Sequence, residues 1–134
     1  MNEKHLINQY CKKLSSCIFF EVSIGDKNTF GKESTDRKID IVLIHGTSTK
    51  KSHNYSEHKD LFLKMINKKN TTIEIIEAKK KLNRNLLGQI LVADFMFKKK
   101  FKVNKLKKSV LYSVGDSALE LFCKNNSINL IKQE

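Results

Sequence analysis

Hydrophobic positions along the chain follow two different spacings, one typical of helices and one typical of strands. Between residues 3 and 15 the apolar positions recur at i, i+4 and i+8, which predicts an amphipathic helix built on Leu6, Ile7, Tyr10, Cys11 and Leu14. Aromatic and β-branched side chains dominate residues 17–24 (CIFFEVSI) and 38–45 (KIDIVLIH), and both runs are typical of strands. Polar loops are expected at 25–37 and 46–55.

The middle of the chain continues the mixture of helical and extended patterns. Apolar residues at helical spacing predict a helix over 56–68, with Ser56 as its N-cap, and 71–79 (TTIEIIEAK) is typical of a strand. Residues 83–98 are apolar on almost every side of a helix that Asn83 can cap. Such a helix is expected to be buried on more than one side, against the sheet and against a second subunit.

The last part of the chain predicts a strand over 109–114, a helix that Asp116 or Ser117 caps and that continues through Cys123, and a short closing strand over 128–132. The resulting order is α β β α β α β α β. This order predicts an α/β fold with helices packed on a central mixed sheet of about five strands.

Composition limits the class of protein. The chain has 134 residues, 40% hydrophobic and 30% charged, which excludes both a disordered chain and a membrane protein. It has no proline, no Gly/Ser-rich linker and no repeat, so residues 1–134 are expected to form a single domain. The beginning of the chain is polar and does not resemble a secretory signal.

Cysteine usage points to a reducing compartment. The three cysteines, Cys11, Cys17 and Cys123, are an odd number without a CxxC pair, which disfavours both a disulfide framework and a cysteine zinc site. We therefore expect an intracellular protein, cytoplasmic or nuclear, with cysteines that act as small buried hydrophobic residues.

The net charge of +12 predicts a polyanionic partner and is concentrated in one window of the sequence. Residues 79–108 contain eleven basic side chains and a single acid, and residues 98–108, here called the basic segment, contain seven lysines. We expect them to hold a phosphate backbone; the alternative is a solvated segment that keeps the protein soluble. The candidate phosphate contacts are Lys80, Lys81, Arg84, Lys98, Lys99, Lys100, Lys102, Lys105, Lys107 and Lys108.

Two carboxylates interrupt the apolar strands. Asp40 lies in the second predicted strand and Glu77 in the third, although Asp is a poor strand former and an unpaired buried carboxylate is costly. Side chains alternate along a strand, so Glu77 and Lys79 share a face, about 7 Å apart. Two carboxylates and a lysine at one sheet edge suit Mg²⁺. The alternative is a surface Glu77–Lys79 ion pair, with Asp40 as a strand-end residue beside Lys38.

The segments RKIDIVLIH, TIEIIEAK and LLGQILVADF, in this order, resemble the PD-(D/E)XK nuclease superfamily, which includes restriction enzymes and Holliday junction resolvases. The resemblance covers most of the chain and implies a restriction-endonuclease-like core, with residues 56–68 as an added helix. Ile39 replaces the proline of the superfamily's name, which many members also lack.

The resemblance also implies roles for individual residues. Asp40 and Glu77 would bind Mg²⁺ or Mn²⁺, the backbone carbonyl of Ala78 would be a further ligand, and Lys79 matches the motif lysine. Gln89 matches a glutamine of the following helix.

Several superfamily members add one more acidic ligand. Glu3 in the first helix and Glu21 in the first strand are equal candidates for it, and each has an ordinary surface position as its alternative.

The expected function is that of a metal-dependent endonuclease acting on DNA. A chain this small has little room for a separate sequence-reading module, which favours structure-selective cleavage, as in junction resolution or repair. Cutting two strands calls for two sites, so a homodimer is expected and no membrane partner. The alternatives are a non-catalytic nucleic-acid-binding module and an RNA-cleaving relative.

Other chemistry has less support in the sequence. His53 and His58, five residues apart without an acid-rich shell, are expected to be solvated, and His45 to have a capping or surface role. Tyr112 is expected in the core or on the sheet surface. The chain has neither a nucleophile elbow nor a glycine-rich phosphate loop.

Overall fold

A computed structural model describes residues 2–47 and 50–134 of the chain. In this part of the chain, one six-stranded mixed sheet has helices on both of its faces. The elements are α1 (Glu3–Cys11), β1 (Cys17–Ser23), α2 (Lys27–Phe30), β2 (Lys38–His45), β3 (Ser52–Asn54), a 3-10 helix (Tyr55–Glu57), α3 (Lys59–Ile66), β4 (Thr72–Ala78), α4 (Arg84–Phe101), β5 (Lys107–Tyr112), α5 (Ser117–Asn125) and β6 (Ile128–Lys132).

The sheet has an antiparallel half and a parallel half. The strand order is β3-β1-β2-β4-β5-β6; β2 lies antiparallel between β1 and β4, whereas β4, β5 and β6 run parallel. Parallel neighbours need a crossover connection, and α4 and α5 provide the two crossovers. The antiparallel pair β2–β4 is therefore central, with both of its faces covered.

The core consists of two apolar clusters, one on each face of the sheet. The larger cluster includes Phe62 of α3 and Ile90 and Phe97 of α4, all fully buried against the sheet. The smaller cluster packs Leu6 of α1 against strand residues such as Ile41. Because both faces of the sheet are covered, residues pointing to either side of β2 and β4 are apolar, and the two strands are almost continuous hydrophobic runs.

Several elements agree with the sequence prediction. Strands 38–45 and 128–132 have the predicted bounds. Asn83 caps α4, since its Oδ1 accepts from the Leu86 N–H at 2.9 Å. Asp116 caps α5 in the same way, with the Leu119 N–H at 3.1 Å. Burial of Cys11, Cys17 and Cys123 is confirmed.

The prediction of about five strands was short by one. The sixth strand, β3, lies within the predicted loop 46–55, of which residues 48 and 49 are outside the described residues. It is a three-residue edge strand, too short to display a period, and it pairs in parallel with β1.

Helix bounds were predicted less well. The first helix ends at Cys11 rather than at residue 15, because 3-10-type bonds such as Leu14 N–H to the Cys11 carbonyl replace the helical pattern. The predicted helix 56–68 is divided into the 3-10 helix and α3, so Ser56 is not its N-cap.

The fourth predicted strand, 109–114, begins and ends two residues earlier, and α4 extends to Phe101. The side of α4 that carries Ile90 and Phe97 is buried against the sheet. On another side, Leu91 and Phe95 are 39% and 57% exposed. Within a single copy of the chain the face with Leu91 and Phe95 is therefore not covered, and its burial against a second subunit stays a prediction. No helix in the described part of the chain has the length and apolar character required to cross a membrane.

Candidate functional site

Asp40 and Glu77 occupy facing positions on β2 and β4. The antiparallel ladder pairs Ile41 with Ile76, and the next positions in that register are Asp40 and Glu77. Here side-chain bonds replace the ladder: the Asp40 N–H donates to Glu77 Oε1 at 2.9 Å, and the Ala78 N–H donates to Asp40 Oδ2 at 2.9 Å. Each carboxylate is thus held by the backbone of the neighbouring strand.

The β1–β2 pair is irregular where Glu21 lies across from Asp40. The ladder is intact on both sides of this position and skips this one pair. Glu21 has a left-handed φ of 52°, which is uncommon outside glycine. Val22 packs in the same apolar cluster as Phe19, whereas a regular strand would send residues three apart to opposite faces. Backbone strain of this kind is concentrated at functional sites.

Burial makes the charged forms of both carboxylates unfavourable. It raises the pKa of Glu77, which is 8% exposed, to about 8, and the neighbouring charge of Asp40 adds to this rise. Burial also raises the pKa of Asp40; the charges of Glu3 and Glu21 add to this effect, whereas the Ala78 N–H and Lys79 oppose it. A cation at this position would stabilise the ionised pair.

One open pocket of about 410 Å³ contains most of the residues that the sequence singles out. It is lined by Glu3, Arg37, Lys38, Asp40, Glu77, Ala78, Lys79 and Gln89. Glu21 is exposed and does not line the pocket, although its charge acts on Asp40. Of the two equal candidates for an additional acid, Glu3 is therefore the one in the pocket.

Two elements bring the non-acidic side chains to this pocket. Lys79 directly follows β4, is half-buried, and is fixed through its N–H, which donates to the Leu111 carbonyl at 3.0 Å. Gln89 lies in the N-terminal half of α4, which Asn83 caps beside the end of β4. The end of β4 and the first half of α4 thus both line the same pocket.

The donor set of the pocket is small. Across residues 2–47 and 50–134, no three His, Cys, Asp or Glu side chains converge as a ligand group. The pocket is lined by the predicted ligand residues Asp40, Glu77 and Ala78, and also by Glu3. Oxygen donors with only one or two carboxylates suit Mg²⁺, which usually keeps several waters. The residues therefore fit a hard divalent cation with a partial protein shell.

The basic residues form two groups. Lys80, Lys81 and Arg84 are exposed close to the pocket, between the end of β4 and the first turn of α4. The basic segment begins in the last turn of α4, a helix of 18 residues that spans about 27 Å, and continues to the start of β5. The sequence between Arg84 and Lys98 contains no basic residue, so the positive charge is not continuous along the helix.

Some lysines of the basic segment are used within the chain. Lys98 pairs with Asp94 at 3.2 Å, and Lys100 pairs with Asp26 at 3.3 Å. Lys107 is in register with Glu74, three residues before Glu77 on β4. The exposed members of the segment are Lys99, Lys102, Lys105 and Lys107.

The sequence analysis missed a second buried acid on β4. Glu74 is 5% exposed; its Oε1 contacts His45 Nε2 at 2.8 Å, and its Oε2 accepts from the Ser109 hydroxyl. His45 Nδ1 in turn contacts Ser16 Oγ at 2.7 Å. The signal, an acid inside an apolar strand, was the same as for Glu77. The partners that offset the charge of Glu74 belong to the fold itself.

Arg37 and Lys38 were missed as pocket residues. Both are exposed and line the pocket, and they lie three and two residues before Asp40 in the chain, so their proximity in sequence was the available signal. The prediction of solvated histidines was wrong. His53 and His58 are half-buried with ring centroids 4.7 Å apart. Tyr112, predicted in the core or on the sheet, is 1% exposed.

Comparison with protein-family models, with curated proteins and with solved structures finds no match for this chain. The fold itself defines the class as an α/β protein with a six-stranded mixed sheet flanked by helices.

Proposed function

We propose that this protein is a metal-dependent endonuclease of the PD-(D/E)XK type that hydrolyses phosphodiester bonds in DNA. The observation that carries the proposal is the facing pair Asp40 and Glu77, each bonded to the backbone of the other's strand. Lys79 and Gln89 share their pocket. Buried, like-charged carboxylates are costly in a purely structural role, and a site for a cation explains their retention.

The order of elements supports the same proposal. Leaving aside the short α2, β3, the 3-10 helix and α3, the chain runs helix, three strands, helix, strand from α1 to β5, the order that the resemblance implies. Asp40 and Glu77 lie on the second and third of these strands, and Gln89 lies on the helix that follows.

The proposed cofactor is Mg²⁺ or Mn²⁺, held by Asp40, Glu77 and the carbonyl of Ala78. When bound, such an ion supplies Lewis acidity toward the phosphate and a nucleophile at neutral pH. Lys79 places a positive charge where negative charge develops on the phosphate oxygens. Gln89 orients a reacting group by hydrogen bonding, and Arg37 and Lys38 hold the neighbouring phosphates.

The proposed substrate class is branched or damaged DNA rather than a specific sequence. The chain adds only β3, the 3-10 helix, α3 and the short α2 to the elements that build the core up to β5. These additions leave little surface for reading base edges, and contacts to phosphates carry no sequence information.

A homodimer would place two such sites on two strands of DNA. The outer face of α4 supports this proposal, because Leu91, Val92 and Phe95 are 39%, 46% and 57% exposed. Sedimentation of the Phe95→Lys variant tests the dimer. We expect wild type to sediment as a dimer and the variant as a monomer, and a monomeric wild type would contradict the proposal.

The second candidate function is a non-catalytic nucleic-acid-binding module. The observation that favours it is the small acidic set, since in the described part of the chain no third acid joins Asp40 and Glu77 as a ligand group, although Glu3 lines the same pocket. Such a module would bind DNA without cutting it.

The experiment that separates the two functions is a cleavage assay. Branched, duplex and single-stranded DNA and single-stranded RNA are incubated with the protein in Mg²⁺, Mn²⁺ or EDTA. We expect metal-dependent cleavage of branched DNA, and a loss of about 100-fold or more in rate for Lys79→Ala with little change in binding. Binding without cleavage in either metal would support the second function. Preferential cleavage of RNA would overturn the choice of DNA.

A further inference from the structure

A second pocket lies at the other end of the central strands. The β2–β4 ladder ends in the pair His45–Thr72, five residues from Asp40 and Glu77, or roughly 17 Å along the strands. The pocket beyond this end has a volume of about 430 Å³. Its lining residues are Cys17, Gly46, Thr47, Lys51, His53, Leu61, Met65, Lys68, Lys69 and Thr71.

The shape of this pocket depends on two turns. Gly46, which directly follows β2, has a φ of 89°, and a Cβ there would lie 2.5 Å from the carbonyl oxygen of Asn70. Asn70 is itself left-handed, with a φ of 66°. These two turns pack closely together, so the chain reversals after β2 and before β4 form one wall beside α3.

The lining is basic, and it contains no acid. Three exposed lysines line the pocket. Lys51 directly precedes β3, and Lys68 and Lys69 lie in the turn after α3. Burial raises the pKa of the Cys17 thiol, and the charges of Lys51 and Lys68 oppose that rise, so both lysines act on the pocket floor. These lysines belong neither to the basic segment nor to the group near Asp40.

The floor of the pocket is apolar. Met65 and Cys17 are buried with their sulfur atoms 3.6 Å apart, and Leu61 is 36% exposed above them. His53 contributes an aromatic ring that stacks on Phe19 with 5.1 Å between the ring centroids. Flat apolar surface and an aromatic edge suit a planar ring rather than a bare ion.

Polar groups at the rim complete the site. Thr47 Oγ1 is buried and has no hydrogen-bond partner in the described part of the chain. Thr71 donates its hydroxyl to the Lys68 carbonyl at 2.7 Å, which ties the rim to the turn after α3. Small-molecule sites are typically of 300–1,000 Å³, largely apolar, with a few placed polar groups. An occupant therefore needs an apolar ring and an anionic group.

We propose that this pocket binds a nucleoside monophosphate, with the base on Leu61, Met65 and His53 and the phosphate on Lys51, Lys68 and Lys69. The phosphate group can belong to a free nucleotide or to the 5′-terminal nucleotide of a nucleic acid. The proposal goes beyond the nuclease site, and it stands if no metal binds at Asp40 and Glu77.

The test is a two-dimensional NMR titration of the whole chain in EDTA, so that cleavage cannot contribute. The probes are adenosine monophosphate, adenosine, inorganic phosphate, and a dinucleotide with or without a 5′-phosphate. We expect adenosine monophosphate to shift the backbone amide resonances of Gly46, Lys51, His53 and Thr71. We expect adenosine and inorganic phosphate each to bind at least tenfold more weakly than adenosine monophosphate. Tighter binding of the phosphorylated dinucleotide identifies a nucleic-acid end as the source. Tighter binding of the mononucleotide identifies a free nucleotide.

Matched variants separate the pocket from the bulk charge of the protein. We expect the double variant Lys68→Ala/Lys69→Ala to weaken adenosine monophosphate binding at least tenfold. We expect the single variant Lys51→Ala to weaken it at least threefold. The control Lys124→Ala/Lys132→Ala removes the same two charges from exposed positions on α5 and β6, and we expect it to bind as wild type does. Equal weakening by the control, shifts located elsewhere, or equally tight binding of phosphate alone would overturn the proposal.

Discussion

At the scale of residues, β4 carries two buried carboxylates in different environments. Glu74 contacts His45 and Ser109, which can compensate its charge within the fold. Glu77 receives the Asp40 N–H but lies beside the Asp40 carboxylate, which opposes its ionisation. Glu74 therefore has partners that offset its charge within the fold, whereas Glu77 is the acid for which we propose a cation.

This difference predicts how pH changes the stability of the metal-free protein. Burial and Asp40 raise the pKa of Glu77 from 4.5 to about 8, so the folded state binds more protons than the unfolded state between these values. The contribution of Glu77 is thus most favourable below pH 4.5 and declines as pH rises to about 8, at roughly 1.4 kcal/mol per unit at most. Asp40 shifts in the same direction.

Urea denaturation in EDTA at pH 5 and pH 8 measures the effect. We expect the free energy of unfolding of wild type to fall over this range, and the Glu77→Gln variant to lose most of that fall. Glu33→Gln, at an exposed loop position, is the matched control and is expected to behave as wild type. An unchanged pH dependence in Glu77→Gln would contradict the assignment.

The two acids also show what the sequence can predict at this scale. Asp40, Glu77 and Lys79 were found because carboxylates in apolar strands need compensation, and the register brings them to one pocket. Glu74 gives the same sequence signal, but its partner His45 lies 29 positions away. Only the tertiary register decides which of the two acids is already paired.

At the scale of elements, the distortion at Glu21 is built into strand β1. A left-handed backbone costs a non-glycine residue about 1–2 kcal/mol, and more for a β-branched side chain. The side chain of Glu21 is exposed, so it contributes little packing that would offset this cost. The residue with this strained backbone is the one that lies across from Asp40.

Substitutions at Glu21 test this strain. We expect Glu21→Gly to be at least as stable as wild type, because glycine adopts a positive φ without steric cost. We expect Glu21→Val to be less stable by about 1–2 kcal/mol, although valine is normally the better strand former. Urea midpoints measure both, and a valine variant more stable than the glycine variant would show that the strand is regular in solution.

The sequence predicted helices and strands correctly where their hydrophobic pattern was long enough to show a helical or strand period. The eight-residue strand β2 has the predicted bounds because its apolar run is continuous. Strand β3 has three residues, and its pairing depends on β1 rather than on its own pattern. The helix predicted over 56–68 was divided because the 3-10 turn at Tyr55–Glu57 buries Tyr55 against the core.

At the scale of the whole molecule, positive charge is divided between the pocket rim and the basic segment. Lys80, Lys81 and Arg84 are close to the site, whereas Lys99, Lys102 and Lys105 lie at the other end of α4 or in the connection from α4 to β5. The two groups should therefore affect cleavage differently. The distal lysines contribute to affinity through phosphates and counterion release.

Neutralising the distal lysines tests this division. For Lys99→Gln/Lys102→Gln/Lys105→Gln we expect weaker DNA binding and a log–log salt slope that is less steep by about 0.9 for each lost phosphate contact. Cleavage at saturating substrate should change little.

The matched variant Lys80→Gln/Lys81→Gln/Arg84→Gln removes the same charge beside the pocket. We expect it to reduce the cleavage rate at saturation as well as the affinity. Fluorescence anisotropy at several salt concentrations and single-turnover cleavage measure the two quantities. Identical behaviour of the two triple variants would contradict the division.

The most direct test of the proposed site is the single-turnover cleavage rate of branched DNA in Mg²⁺ for Asp40→Asn. This nearly isosteric change removes the charge that faces Glu77, and Asp60→Asn makes the same change at an exposed position on α3. We predict that Asp40→Asn lowers the rate by at least about 100-fold. Asp60→Asn should cut as wild type does. If Asp40→Asn cuts as fast as Asp60→Asn, the assignment of the nuclease site to Asp40 and Glu77 is wrong.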